Sequence, residues 1–109
     1  MYLLYNFDID SVEDIQKVLA QNLQNRRLEK GLSRNTLSEI SGIPAATIAK
    51  FEQKYTISLA SYIALTKALG YAKDIKELLS QPIYNTMEEL ELINQNKRRK
   101  RGRRNETGK

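Results

Sequence analysis

The side chains of this sequence that could bind a ligand are mainly cationic, and the residues that most often carry out catalysis are missing. The 109 residues include 18 Lys and Arg against 13 Asp and Glu, with neither His nor Cys. His is the usual general base, and His and Cys are the common ligands of structural zinc. Zinc fingers and hydrolases with Ser-His-Asp or Cys-His sites are therefore excluded. We expect a protein that is not an enzyme and needs no cofactor or metal.

The basic residues are concentrated at one end of the chain. Residues 97–109 carry eight basic side chains against one acidic side chain, whereas residues 1–96 carry ten basic and twelve acidic ones. This asymmetry favours a polyanionic partner such as a nucleic acid, or a disordered end that keeps the protein in solution. The cations that could contact a DNA backbone or minor groove, or an acidic protein surface, are Lys97, Arg98, Arg99, Lys100 and Arg101.

A series of short helices must position these groups. Glycines at positions 31, 42 and 70, the segment 54–57 and a proline at position 82 interrupt the apolar periodicity. We predict an all-α fold, with a five-helix domain at 11–81, an acidic C-terminal helix at 82–96 and a basic, disordered tail at 97–109. Residues 1–10 form an arm, in which the apolar segment 2–7 makes a short strand or packs on the domain.

Each predicted helix has a start signal and an apolar face. The expected N-caps are Asp10 or Ser11 for the first helix, Ser33 for the second and Ser58 for the fourth. The fifth helix is expected to begin at Asp74. Thr86 is expected to cap the last helix, in a capping box with Glu89. The residues expected to face the core are Val12, Ile15, Leu19 and Leu23 in the first helix, Leu37 and Ile40 in the second, Ile48 and Phe51 in the third, and Leu59, Tyr62, Ile63, Thr66 and Leu69 in the fourth.

The segment from Arg34 to Phe51 carries the strongest functional pattern. Two short amphipathic helices meet at Gly42, where the chain can turn with positive φ, and Ser38 is small enough for the helices to approach closely. A second helix presented in this way fits the major groove of B-DNA. The motif spans 34–53, and its candidate DNA-binding residues are Arg34, Asn35, Pro44, Ala45, Ala46, Thr47, Ala49, Lys50 and Lys54.

The stretch GLSRNTLSEISGIPAATIAKFEQ resembles the helix-turn-helix of Xre-type, Cro- and phage-repressor-like, DNA-binding proteins. The resemblance extends back to Arg27 and forward through SLASYIALTKALG, and it covers about residues 19–80. It implies that the five-helix domain at 11–81 is a repressor-like DNA-binding domain. It also implies a sequence-specific transcriptional repressor that acts as a homodimer on a two-fold operator in double-stranded DNA. With no apolar run of about 20 residues and no signal-peptide pattern at the start, we expect a soluble, cytoplasmic protein that does not enter a membrane.

The wider arrangement is similar to HipB-type antitoxins, with an extended start, a helix-turn-helix, the acidic segment MEELELIN and a basic end. This resemblance implies a HipA-like kinase toxin as partner and autoregulation of a shared operon. Two alternatives stay open: a protein-interaction module that mainly inhibits a partner kinase, with DNA binding secondary, and a non-specific nucleic-acid or RNA chaperone driven by the tail.

The sequence departs from the family pattern at two positions of the motif. Arg34 stands where the family often has Gln; it could contact a phosphate, but bridging to the recognition helix as Gln does is in doubt. Pro44 stands where Ser often caps the third helix; it has no capping side chain, although its fixed φ suits a helix start.

Several other polar residues have two possible roles. Thr47 could hydrogen-bond a base or stabilise the start of its helix. Lys50 and Lys54 could contact phosphates or lie on a solvated face. Arg27 could be structural, through an ion pair with Glu39 or Glu52. Because two alanines open the helix, direct base contacts are few, and specificity could depend on DNA shape or on the tail.

Overall fold

The computed structural model describes the backbone of residues 10–107 and the side chains of residues 10–99, so the strand or arm predicted at 2–7 lies outside the described residues. This part of the chain contains helices and no strand, as the all-α prediction requires. The helices are α1 (Val12–Glu29), α2 (Arg34–Ser41), α3 (Ala45–Lys54), α4 (Leu59–Ala68), α5 (Ala72–Glu77) and α6 (Met87–Thr107). The chain divides between Lys76 and Glu77 into two compact units.

Hydroxyl side chains begin most of the helices, as predicted. Ser11 starts α1 with a full capping box, Ser33 accepts a hydrogen bond from the Thr36 N–H, and Ser58 accepts one from the Ser61 N–H. Thr86 caps α6 by accepting from the Glu89 N–H at 3.1 Å. The Glu89 carboxylate, however, accepts from the N–H of Asn85 at 2.6 Å and not from Thr86. One of the two hydrogen bonds of the predicted capping box is therefore confirmed, and the other is displaced by one residue.

The core of the first unit lies among α1, α2, α3 and α4. Here α3 packs on both α1 and α2, and α2 packs on α4. The Phe51 ring meets the Tyr62 ring edge-on, with centroids 5.7 Å apart, and burial raises the pKa of the Tyr62 phenol. The buried apolar residues are Ala20, Leu23, Leu37, Ile48, Phe51, Leu65 and Leu69. This cluster holds the two motif helices against their neighbours.

Several residues predicted for the core are exposed. Val12, at 76% exposed, is the extreme case, and the others are Ile15, Leu19, Ile40, Leu59 and Ile63. In α1 the first buried residue is Ala20, so the two turns before it extend beyond the core. Periodicity shows which residues of a helix share a face, but it does not show how far along the helix a neighbour packs against that face. It also missed Leu65, which is fully buried in α4.

The C-terminal part differs from the prediction in its helix bounds. Helix α5 begins at Ala72, two residues before the predicted start, and it ends at Glu77, leaving Leu78 and Leu79 exposed. Helix α6 continues to Thr107, through the tail expected to be disordered. Lys and Arg have good helix propensity, and cations at a helix C-terminus are favoured by the macrodipole. None of the helices between residues 10 and 107 has the length and apolar character needed to cross a membrane.

Candidate nucleic-acid interface

The turn between α2 and α3 has the geometry that the motif requires. Gly42 adopts φ +81° and donates its N–H to the Ser38 carbonyl at 2.8 Å, which ends α2. The Ile43 N–H then donates to the Ser41 hydroxyl oxygen at 3.1 Å. Pro44 follows with φ −58° and no side-chain cap, as its ring predicts. These contacts fix the point at which α3 leaves the turn.

Helix α3 has one buried face and one exposed face. Ile48, Phe51 and Glu52 are buried, which anchors the helix in the core. The exposed residues are Ala46, Lys50, Gln53 and Lys54, with Ala45, Thr47 and Ala49 half-buried at the margins. The predicted residues Asn35 and Pro44 are also exposed, at the starts of α2 and α3. The outward face of α3 therefore presents a methyl group, an amide and two ammonium groups.

Gln53 belongs to this face, although the sequence prediction did not include it. It is exposed and follows Lys50 by three residues and Ala46 by seven, so all three lie on the same side of the helix. A glutamine amide can donate to and accept from an adenine edge at the same time. Its helical spacing from Lys50 was the signal in the sequence that could have identified it.

A shallow depression adjoins the outward face of α3. It has a volume of about 490 Å³ and is lined by Thr47, Lys50, Thr56, Ile57, Ser58 and Ser61. Hydroxyl groups, a lysine and the start of α4 line one side of it, and such groups can bind a phosphate. Thr47 thus lies at the edge between base-facing and backbone-facing positions. Thr56, Ser58 and Ser61 were missed as site residues; the hydroxyl-rich run before a predicted helix start was the available signal.

A buried ion-pair cluster positions α3. The Arg27 guanidinium donates to both carboxylate oxygens of Glu52, at 2.8 and 3.0 Å, and its third contact is to the Leu32 carbonyl at 2.8 Å. The side chains of Arg27 and Glu52 are only 7% and 1% exposed. The expected structural role of Arg27 is therefore found, with Glu52 as its partner and not Glu39. Paired, hydrogen-bonded charges tolerate burial, whereas a single one would not.

Arg34 joins the same cluster. Its Nε and Nη2 lie 3.0 and 2.9 Å from Oε1 of Glu52, and the side chain is 34% exposed. One carboxylate on α3 thus connects α1 and the start of α2. Arg34 acts on the interface through Glu52, by holding α3 relative to α2, and a phosphate contact by its exposed edge stays a prediction.

The predicted tail contacts belong to the other unit. Lys97, Arg98 and Arg99 are exposed on α6. Lys100 and Arg101 lie where the backbone of α6 is helical. In the described part of the chain, no group of His, Cys, Asp and Glu could hold a metal ion.

Comparison with known proteins identifies the family of the first unit. A family model described as helix-turn-helix matches residues 23–75, which include the turn, α3 and all of the buried core except Ala20. Control protein C.SmaI of Serratia marcescens is 39% identical over 58 residues, which cover 52% of this chain and 69% of the relative. No solved structure gives a significant match. These findings confirm the Xre-like resemblance, while the HipB-type resemblance stays a prediction. The chain belongs to the Xre-like helix-turn-helix family and is a DNA-binding transcriptional regulator, not an enzyme.

Proposed function

We propose that this regulator is a sequence-specific repressor that binds a two-fold operator as a homodimer. The observation that carries the proposal is the exposed face of α3, which is held outward by the core behind Ile48 and Phe51 and by Glu52. Two such helices, one from each subunit, would enter successive major grooves about 34 Å apart. A dimer bound across a promoter represses transcription by occlusion, and no reaction is needed.

Within each half-site, the residues of α3 have separate roles. Gln53 pairs with a base edge, and the Ala46 methyl group contacts a thymine methyl. Lys50 and Lys54 neutralise phosphates, together with the hydroxyl groups around the depression beside α4. Most of the affinity comes from these phosphate contacts, whereas the choice of sequence depends on the few groups that reach the bases.

The selection of DNA from random sequence tests this proposal. The full-length protein is incubated with duplexes that contain a random segment of about 30 base pairs, and bound duplexes are amplified through several rounds. We expect enrichment of an inverted repeat with half-site centres about 10 base pairs apart. Gln53→Ala protein, selected in parallel, should enrich a consensus that is relaxed at one or two positions of each half-site. Enrichment of no sequence by the wild-type protein would contradict the proposal.

The second unit supports a further role in binding a kinase. The family match ends at residue 75, and the second unit begins at Glu77, so this unit lies outside the matched range. We propose on this basis, and on the HipB-type resemblance, that the protein restrains a cytoplasmic HipA-like kinase and represses the operon that encodes both. In the alternative proposal, kinase inhibition is the main activity of the protein and DNA binding is secondary.

The kinase proposal has its own test. Autophosphorylation of a HipA-like kinase encoded beside this protein is measured with and without wild-type protein, and with the Lys50→Ala variant. We expect both proteins to inhibit the kinase equally, because Lys50 lies in the first unit, while only the wild type binds the selected DNA tightly. Absence of such a kinase from the neighbourhood, or a kinase that the wild-type protein does not inhibit, removes this role and leaves DNA binding standing.

A further inference from the structure

Helix α6 separates its charges along its length. Glu88, Glu89 and Glu91 lie in its first turns, and Lys97, Arg98 and Arg99 follow after an interval that contains no charge. All six of these side chains are exposed. The first half of the helix is therefore acidic, and the half that follows is basic.

The second unit has little to stabilise this helix. None of the residues 77–99 is fully buried, and large apolar side chains are exposed, among them Leu79 at 92% and Ile83 at 88%. Most of the stability of a helix in a protein comes from packing one of its faces against a neighbour, not from helix propensity. On α6, Met87, Leu90 and Asn94 recur at spacings of three and four, which forms one face of the helix. We define these three residues as the α6 seam.

We propose that α6 pairs in an antiparallel arrangement with α6 of a second copy of this chain, with the two-fold axis between Asn94 and Gln95. Antiparallel pairing places the acidic half of each helix against the basic half of the other, whereas parallel pairing would oppose like charges. A two-fold contact must be self-complementary, and this charge order is self-complementary only when the second helix runs in the opposite direction. The inference rests on the homodimer of the proposed function and identifies its interface.

The positions beside the seam support this register. Glu91 and Arg98 are seven residues apart, so they lie along the same margin of the seam. They also lie equally far from the axis, which places Glu91 of one copy beside Arg98 of the partner subunit, twice in each dimer. Leu90 is half-buried, and in this register it packs against the aliphatic stem of Lys97 of the partner subunit. Asn94 lies next to its own counterpart at the axis, where a polar residue can fix register.

Single cysteines test the register, because the natural chain contains none. In the proposed pairing, the Cα atoms of Asn94→Cys are offset by only about 1.5 Å along the helices, whereas those of Met87→Cys are offset by about 22 Å. A disulfide bridges Cα atoms up to about 7 Å apart. Under mild oxidation of the full-length protein, we expect N94C to form a covalent dimer and M87C, on the same face, to stay uncrosslinked. Equal crosslinking of both would overturn the proposal and indicate parallel or non-specific pairing.

A mixed pair extends the test to the charged margin. Glu91→Cys and Arg98→Cys should each crosslink poorly alone, since each is offset from its own copy by about 10 Å. After subunit exchange, a mixture of the two should form the heterotypic disulfide. Failure of both N94C and the mixture to crosslink, with a dimer still observed by sedimentation, would overturn the α6 interface. Binding of the same variants to the selected DNA is measured separately, so the loss of this interface is distinguishable from the failure of the proposed function.

Discussion

At the scale of single residues, Glu52 controls how the DNA-binding face is presented. Its buried carboxylate receives Arg27 from α1 and Arg34 from the start of α2, while its backbone belongs to α3. The cluster contains two positive charges and one negative charge, and the side chain of Arg34 is partly exposed to solvent. In the proposed complex, Arg27 and Glu52 touch no DNA, yet they help to place the helix from which Lys50 and Gln53 reach it.

Glu52→Gln tests this role. The amide keeps the shape of the side chain but removes the charge, so Arg27 stays buried without a counter-charge, and we expect the free energy of unfolding to fall by about 3 kcal/mol. Urea denaturation followed by circular dichroism measures the change. Glu39→Gln, an exposed substitution with the same charge change on α2, is the control and should change stability by less than about 0.5 kcal/mol. Equal effects of the two substitutions would contradict the structural role of Glu52.

Sequence reasoning reached some of these residues and not others. A structural ion pair of Arg27 with Glu39 or Glu52 was predictable because the three residues lie on helices that must pack together. The pairing of Arg34 with Glu52 was not, since two cations on one carboxylate depend on the crossing angle of α2 and α3. That angle is set by packing of the core and by the turn, and neither can be read from spacing alone.

At the scale of elements, the turn at Gly42 separates two helices whose orientation the interface needs. The positive φ at this position disfavours a side chain, although nothing lies within 4 Å of the place that a Cβ would occupy. The restriction is therefore one of backbone conformation, not of space. If backbone conformation is the restriction, residues that adopt positive φ should be tolerated at position 42 and β-branched residues should not.

Gly42→Asn and Gly42→Val should differ for this reason. Asn enters the left-handed region readily, whereas a β-branched residue pays at least about 1–2 kcal/mol there. We expect the free energy of unfolding to fall clearly for Gly42→Val and much less for Gly42→Asn. Thermal denaturation of both variants beside the wild type measures the difference. If the valine variant melts at the wild-type temperature, the turn has been placed at the wrong residue.

The elements themselves were largely predictable, because their signals are local. Ser33 and Ser58 cap helices where hydroxyl residues precede apolar periodicity, and Gly42 ends α2. The exposed apolar turns at the start of α1 were not predictable, since burial depends on which elements lie alongside. The length of α6 was also missed, because a dense run of cations was interpreted as disorder despite the good helix propensity of Lys and Arg.

At the scale of the whole molecule, charge determines how the protein meets DNA. The chain carries a net charge of +5, with its strongest concentration of cations after residue 96. In the proposed complex, long-range attraction to phosphates brings the protein to any duplex, and the α3 face then distinguishes one sequence from another. These two contributions respond differently to salt.

Raising monovalent salt from about 50 to about 200 mM should lower the affinity for selected operator DNA by about tenfold or more, through counterion release. The affinity for a duplex of scrambled sequence should fall at least as steeply, because it depends on phosphate contacts alone. Fluorescence anisotropy with labelled duplexes measures both. An operator affinity that does not change with salt would contradict phosphate neutralisation as the main source of binding energy.

The affinity of three single variants for the selected operator shows whether the outward face of α3 reads DNA. Gln53→Ala should lose about 1–3 kcal/mol of binding to the operator and little to scrambled DNA, and Lys50→Ala should lose affinity for both and lower the salt slope by about one. Lys17→Ala, exposed on α1, removes the same charge as Lys50→Ala outside the α3 face and serves as the control. Wild-type affinity in the Gln53 and Lys50 variants, or an equal loss in all three, would contradict the account.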